Sequence, residues 1–136
     1  MKVQSNTRPN PLTIKNTDKA ILIFVENITE EKIDDGLLYC YDEYRLTVPN
    51  AVNLEKRVTD NFDAWLEKAK QVETDLLAAQ ARDKRNKMLE ETDFYFLSDR
   101  ELDSAKRSAL EAYRQALRDL TKQKGFPYKV EWPEVV

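Results

Sequence analysis

The sequence predicts an α+β fold: a small N-terminal antiparallel β unit, a long helix, a second antiparallel helix and an extended C-terminal tail. Apolar residues alternate with a period of two before residue 50 and recur with a helical period after it. The chain of 136 residues has only 2 Gly and 5 Pro and is 35% charged, which is typical of long solvated helices. We therefore divide it into residues 1–50 and residues 51–136.

The first fifty residues predict two or three short strands. Residues 1–17 are polar and contain two prolines, so we expect an irregular or mobile arm. Residues 19–27 are apolar, β-branched and aromatic, which predicts a buried strand. Residues 28–36 are acidic and end in an Asp-Gly turn signal, and residues 37–48 alternate as a second strand that Asp42-Glu43 interrupts with a bulge or tight turn. Such a unit needs packing against something else for stability.

A helix is predicted from Leu54 to near Glu91, with Asn53 as its N-cap. Its apolar residues lie three and four positions apart: Leu54, Val58, Phe62, Trp65, Ala69, Val72, Leu76 and Ala79. From Val58 onward this spacing is close to a heptad seam, the pattern of a coiled coil. The seam has two interpretations, an intramolecular helical hairpin or a homo-oligomer formed through residues 58–79.

The second helix is predicted to begin at a capping box, Ser98-Asp99-Arg100-Glu101. Lys122 and Lys124 suit its C-terminus, and Gly125 suits its C-cap. Its predicted apolar face consists of Leu102, Ala105, Ala109, Tyr113, Ala116, Leu117 and Leu120. Residues 126–136 form the extended tail.

Composition argues against several classes of function. The chain has no His, a single Cys at position 40 and two separated Gly, so we expect no catalytic residue, no metal site and no cofactor. Carboxylate pairs such as Glu90/Asp93 or Glu26/Asp42 are the remaining candidates for acid–base catalysis, and only a buried pair in a deep cleft would support an enzyme.

Charge and hydropathy argue against two classes of partner. Acidic and basic residues are interleaved at a net charge of −3, so we expect no nucleic-acid partner. The longest apolar run, residues 20–25, is too short to span a bilayer, and no signal-peptide pattern precedes it. We therefore expect no membrane partner and a cytosolic protein.

Arg114 and Arg118, four residues apart on the second helix, are candidates for partner binding. They could clamp a partner's carboxylates, but we favour neutralisation by nearby acidic residues such as Glu91 or Asp93. Residues 94–96 form an aromatic elbow that we expect to plug the end of the helical hairpin.

The tail aromatics Phe126, Tyr128 and Trp132 either fold back on the chain's own helices or dock on a partner. The candidate partner-binding residues are Phe62, Trp65, Val72, Arg114, Arg118, Phe126 and Trp132.

The C-terminal third carries an ordered set of short motifs. They are Arg85, Leu89 and Thr92-Asp93-Phe94, then Tyr113-Arg114-Gln115-Ala116-Leu117-Arg118-Asp119, then Gly125-Phe126-Pro127 and Trp132-Pro133. Over residues 85–133 this set resembles the C-terminal signature of phage tail assembly chaperone proteins. The chain departs from that signature at Phe94, where the family more often has Trp, and its N-terminal half looks unrelated.

The resemblance implies a non-enzymatic assembly factor, encoded by a phage or prophage. It would act in the bacterial host cytoplasm and bind an unfinished tail or tail-fibre protein. The alternative is a structural component of the tail or baseplate that assembles through the long helix.

Overall fold

The computed structural model describes residues 1–97 and 99–136 and confirms the α+β class. The chain forms two compact units, Met1–Glu73 and Thr74–Val136. They divide within a helix, whereas the sequence suggested a division after residue 50. The first unit extends to Glu73 because helical residues up to Ala69 share one hydrophobic core with the sheet. No helix in the described ranges is long and apolar enough to cross a bilayer.

The first unit contains a four-stranded antiparallel sheet with the order β1-β4-β3-β2. The strands are β1 (Lys2–Ser5), β2 (Leu12–Asn16), β3 (Ala20–Ile33) and β4 (Gly36–Val48). The predicted irregular arm at residues 1–17 is therefore wrong. Strands β1 and β2 are short and form the two edges of the sheet. Their order comes from pairing with β4 and β3 rather than from their own burial pattern.

Strands β3 and β4 form one long hairpin, so most of the acidic stretch predicted as a turn is strand. Gly36 closes the hairpin with φ 139°, a backbone conformation that residues with a Cβ rarely adopt. The predicted bulge at Asp42-Glu43 is also wrong, because the register shift lies opposite, between Glu26 and Thr29 of β3. Asn27 adopts φ 53° there and donates a 2.8 Å hydrogen bond from Nδ2 to the carboxylate of Asp42.

The two faces of the sheet are covered by different parts of the chain. One face packs against helical residues, and the buried core there consists of Ala20, Leu22, Phe24, Leu54, Val58, Leu66 and Ala69. Residues 6–11 connect β1 and β2, which lie at opposite edges, and they pass over the other face. Ile23 and Val25 on that face are consequently buried.

The predicted long helix is broken near its start into α1 (Leu54–Asp60) and α2 (Phe62–Asp93). Asn61 separates them with φ −128° and ψ 39°, outside the helical region. Asn53 occupies the predicted N-cap position, but its backbone is left-handed (φ 58°) and its side chain makes no capping hydrogen bond.

The buried positions of α2 depart from the heptad spacing toward its middle. Ala69 is buried, but Val72 is 47% exposed and Leu76 is 56% exposed, whereas Ala78 and Ala81 are buried. A straight helix turns once per 3.6 residues, so its inward face drifts away from a strict 3.5-residue repeat by about 20° per heptad.

The second unit pairs the C-terminal part of α2 with α3 (Ser104–Arg118), and a 3₁₀ turn at Phe94–Phe96 follows α2. The capping-box prediction is wrong. Ser98 lies outside the described residues, and residues 99–101 are not helical. Asp103 is the N-cap instead, and its carboxylate accepts hydrogen bonds from the backbone N–H groups of Ala105 (2.8 Å) and Lys106 (3.5 Å).

The C-terminal end of α3 also differs from the prediction. The helix ends at Arg118 and continues as a 3₁₀ turn over Asp119–Lys122, so Gly125 is not its C-cap. Gly125 has a different constraint, because an added Cβ would lie 2.6 Å from the carbonyl oxygen of Lys129. The buried side chains of this part of the chain are Leu110, Tyr113, Leu117 and Leu120. Leu110 was absent from the predicted apolar face.

Candidate functional site

Phe62 and Trp65 contact the core of the first unit. The ring of Phe62 meets the edge of Phe24 with a centroid separation of 5.4 Å, and Trp65 packs partly buried against the same core. The ammonium of Lys68 lies 4.7 Å from the centroid of the Trp65 ring. Both aromatic side chains therefore hold the helical layer on the sheet, and only part of each remains accessible.

Val72 is the predicted site residue on α2 that is most exposed, at 47%. Leu76, one helical turn further along, is 56% exposed. The structure therefore splits the predicted seam into residues that face the core and residues that face solvent, and self-association through it stays a prediction.

Arg114 is engaged within its own unit. Its Nη1 atom donates to the carbonyl oxygen of Leu89 (2.9 Å), to Oγ1 of Thr92 (2.7 Å) and to the carboxylate of Asp93 (2.7 Å). Asp93 thereby supplies the acidic neighbour that the sequence suggested.

Arg118 behaves differently although it lies on the same helix. It is exposed and makes one long contact of 3.4 Å to Oε1 of Gln115. The structure thus ties Arg114 to the end of α2 and leaves Arg118 accessible, and it does not bring the two guanidinium groups to one common ligand.

The aromatic elbow is surrounded by cations, a feature that the sequence analysis missed. The guanidinium of Arg100 lies 4.7 Å from the Phe94 ring centroid, and those of Arg107 and Arg114 lie 5.6 Å and 5.3 Å from that of Phe96. Such cation–π contacts contribute about 0.5–1 kcal/mol each at exposed sites. Phe94 remains 42% exposed. The aromatic elbow is therefore half-buried at Tyr95 and Phe96 and exposed to solvent at Phe94.

The C-terminal tail folds back within the second unit, which is one of the two interpretations left open by the sequence. The side-chain amide of Gln123 bonds both the N–H and the C=O of Glu131, each at 2.8 Å. The hydroxyl of Tyr128 lies 2.8 Å from Oγ1 of Thr74 on α2.

The tail aromatics are held by basic residues of α2. The ammonium of Lys84 lies 4.2 Å from the centroid of the Trp132 ring, and the guanidinium of Arg82 lies 5.7 Å from that of Phe126. Asp93 at the end of α2 contacts Arg114, whereas Arg82 and Lys84, earlier on α2, contact the later residues Phe126 and Trp132, so the segments after α2 run back along it. A shallow cleft of about 310 Å³ remains between α2 and the tail, lined in part by Leu77, Ala81 and Trp132.

Three of the four carboxylates that the sequence offered for catalysis, Glu26, Asp42 and Asp93, are engaged in structural contacts, and Glu90 is exposed. Glu26 pairs with the ammonium of Lys70 at 2.9 Å, and hydrogen bonds from Asn27 and then Lys2 lower the pKa of Asp42. A lowered pKa is the opposite of what a general acid requires. The described part of the chain contains no group of three acidic or Cys side chains placed to hold a metal ion.

The second unit is a small helical module whose C-terminal segment folds back on α2. Residues 78–135 match the family model described as phage tail assembly chaperone protein. The match confirms the resemblance for the C-terminal part of the chain and falls entirely within the second unit, which begins at Thr74. No curated protein and no solved structure matches the chain.

Proposed function

We propose that this chain is a non-enzymatic chaperone that binds an unfinished phage tail or tail-fibre protein in the cytoplasm of the bacterial host. One observation carries the proposal. The segment matched by the tail assembly chaperone family, residues 78–135, coincides with a unit that is compact by itself, residues 74–136. The family segment is therefore a structural module rather than a stretch of similar composition.

An unfinished tail protein exposes apolar surface and strand edges, and covering them prevents aggregation. In the second unit the large exposed apolar side chains, among the described residues, are Leu76, Phe94, Leu97, Tyr128, Val135 and Val136. Phe94 and Leu97 are close in sequence beside the elbow, where Arg100 adds a cation. We propose this elbow surface as a contact for the partner, with the exposed Arg118 and the half-buried Phe126 and Trp132 as further contacts of the same unit. The exposed Val72 belongs to the first unit and is a separate candidate contact. Phe62, Trp65 and Arg114 have their main role inside the chain.

Co-expression tests the chaperone role directly. The tail or tail-fibre protein encoded beside this chain would be produced with and without it, and its soluble yield and native assembly would be measured. We expect a clear gain with the wild-type chain and a smaller gain with Leu97→Asp. Val135→Asp is the matched control, because Val135 is also exposed but lies near the chain end. Equal yields with and without the chain would refute the proposal.

The exposed part of α2 favours one second candidate, a structural component of the tail or baseplate. Val72 and Leu76 are accessible on a helix of 32 residues, Phe62–Asp93, and could form a permanent interface with another copy. Mass spectrometry of purified particles separates the two roles, because a chaperone leaves and a component stays in fixed stoichiometry. Analytical ultracentrifugation of wild type and Val72→Asp tests the oligomer itself.

A further inference from the structure

The outer edge of β2 presents unused backbone hydrogen-bonding groups. The N–H of Val25 donates to the carbonyl oxygen of Pro11 at 3.0 Å, which fixes the phase of the β2–β3 ladder. In antiparallel strands the bonding direction alternates from residue to residue. Thr13 and Lys15 therefore bond toward β3, and Leu12, Ile14 and Asn16 point their N–H and C=O groups away from it. In the described sheet no strand lies beyond β2.

A cleft lies beside this edge. It has a volume of about 690 Å³ and is lined by Ile14 and Asn16 of β2 on one side. On the other side it is lined by residues of α1 and the preceding turn: Ala51, Asn53, Leu54, Glu55, Lys56, Thr59 and Asp60. This volume lies within the usual range for ligand sites, about 300–1,000 Å³. The side chains of Ile14 and Leu54 give it an apolar floor, and Lys56, Thr59 and Asp60 give it a polar wall.

We propose that this cleft binds an extended segment of the partner protein as a fifth strand added to β2. The inference rests on the proposed function and deepens it, because it states which part of an unfinished tail protein is captured. An open strand edge beside a helix supplies main-chain hydrogen bonds along one side and side-chain contacts along the other, the arrangement used for peptide capture by strand addition. The five residues of β2 match a segment of about five residues, roughly 17 Å long.

Charge indicates the chemistry of that segment. Lys56 pairs with Asp60 at 2.8 Å, so Glu55 is the cleft charge without an ion-pair partner among the described residues. Residues 1–73 also carry the chain's whole net charge of −3, because acidic and basic residues are equally numerous from residue 74 onward. The segment that fits has a Lys or Arg opposite Glu55 and an apolar side chain over Ile14.

A second copy of this chain fits the cleft less well than a single segment does. In each copy α1 lies beside the edge of β2. If the β2 strands of two copies paired, the two α1 helices would therefore be brought against each other. The edge of β3 beyond the bulge is less suited to self-pairing, since it carries Glu30 and Glu31 and two copies joined there would bring like charges together.

Matched substitutions test the site. Asn16→Pro removes one outward N–H from the cleft edge without removing a bond to β3. Thr47→Pro is the control on β4, at the opposite edge of the sheet. Glu43 exchanges hydrogen bonds with Met1, so the backbone groups of Glu43, Arg45 and Thr47 point away from β3, and the proline again removes an outward N–H without removing a bond to β3. Thr59→Trp fills the cleft, and Arg57→Trp places the same ring on α1 outside the cleft lining. Circular dichroism and thermal melts of each variant establish that it is folded.

The measurement is the affinity of the full chain for the tail or tail-fibre protein encoded beside it. The same affinity is measured for overlapping 15-residue peptides that together cover the sequence of that tail protein. We expect Asn16→Pro and Thr59→Trp to weaken binding about tenfold, the equivalent of roughly one lost hydrogen bond, and both controls to stay within about twofold. N-methylation of alternate amides in the tightest peptide gives a second readout that needs no variant, and methylation of the amides facing β2 should abolish binding.

The outcomes separate this inference from the proposed function. If the wild-type chain binds no tail protein, the chaperone proposal fails. If it binds and all four variants bind equally, or N-methylation has no effect, the cleft is not the site. Loss of binding only in Thr47→Pro would move the site to the edge of β4. A dimer of the chain alone that Asn16→Pro dissociates would show that a second copy occupies the cleft, and the inference would be wrong.

Discussion

The hydrogen bonds of Arg114 predict a large and specific loss of stability on its replacement. Its Nη1 atom faces three acceptors but carries two hydrogens, so at most two full bonds form at once. Bonds from a charged donor to partly buried acceptors contribute about 1.5–3 kcal/mol, whereas the pair with Asp93, which is 59% exposed, adds less than about 1 kcal/mol. We therefore expect Arg114→Met to destabilise the second unit by about 2–3 kcal/mol.

Urea unfolding measures this loss if the signal comes from one unit. The chain has two Trp residues, Trp65 in the first unit and Trp132 in the second. In a Trp65→Phe background, fluorescence of Trp132 alone reports the second unit. Arg118→Met is the matched control, since Arg118 is exposed on the same helix, and we expect it to change the free energy of unfolding by less than about 0.5 kcal/mol.

The reasoning would be refuted if Arg114→Met and Arg118→Met reduced stability equally. Arg114→Lys provides a graded check, because lysine keeps the charge but offers a single ammonium on a flexible stem. We expect it to lie between wild type and Arg114→Met. A Lys variant as stable as wild type would mean that charge alone matters and that the geometry at Leu89 and Thr92 does not.

Three further predictions concern other parts of the chain. Asp103→Ala should destabilise α3 by about 1 kcal/mol, because two backbone N–H groups lose their acceptor, as measured by thermal melts. Gly125→Ala should destabilise the second unit by about 1–3 kcal/mol in urea, since its Cβ would lie 2.6 Å from the carbonyl oxygen of Lys129. The lowered pKa of Asp42 stabilises the first unit fully above the ordinary value of 3.8, and this contribution should be lost as the pH falls below it.

Each of these has a clear contrary result. Asp103→Asn should keep most of the stability that alanine loses, and equal losses would argue against capping. A Gly125→Ala variant as stable as wild type would mean that the turn to Lys129 relaxes at no cost. For Asp42, the difference in stability between wild type and Asp42→Asn should shrink from pH 6 to pH 3, and a constant difference would contradict the pKa argument.

Strong local patterns made part of the fold predictable. The apolar run at the start of β3 and the alternation in β4 predicted the two long strands, and the helical spacing of apolar residues predicted α2 and α3. Strand β1 was missed because its order comes from pairing with distant residues, Lys2 with Asp42 for example, and no local pattern encodes that. Strand β2 pairs with the adjacent β3, but Pro9 and Pro11 and the polar residues around it are typical of an irregular segment. The break at Asn61 was missed because asparagine is tolerated inside helices and at their ends alike.

The contacts of the candidate site residues were predictable where the contacting residue carried the opposite charge and its position along the chain was known. Asp93 was a foreseeable neighbour of Arg114 because it carries the opposite charge and lies at the end of the preceding helix. The fold-back of the tail was not decidable from the sequence, since Trp132 would be equally apolar against its own helix or another protein. The cleft beside β2 was invisible because it depends on a strand that the sequence did not reveal.

The passage of residues 6–11 across the sheet has a consequence for the order of folding. Strand pairs β2–β3 and β3–β4 are hairpins that close over short loops, whereas β1 must pair with β4 about 40 residues away. During synthesis β1 emerges first, yet it has no partner until β4 has left the ribosome. The hairpins therefore form before β1 docks, and residues 6–11 close over Ile23 and Val25 only at that last step. Amide hydrogens of the β1–β4 pair should accordingly exchange with solvent sooner than those in the middle of β3.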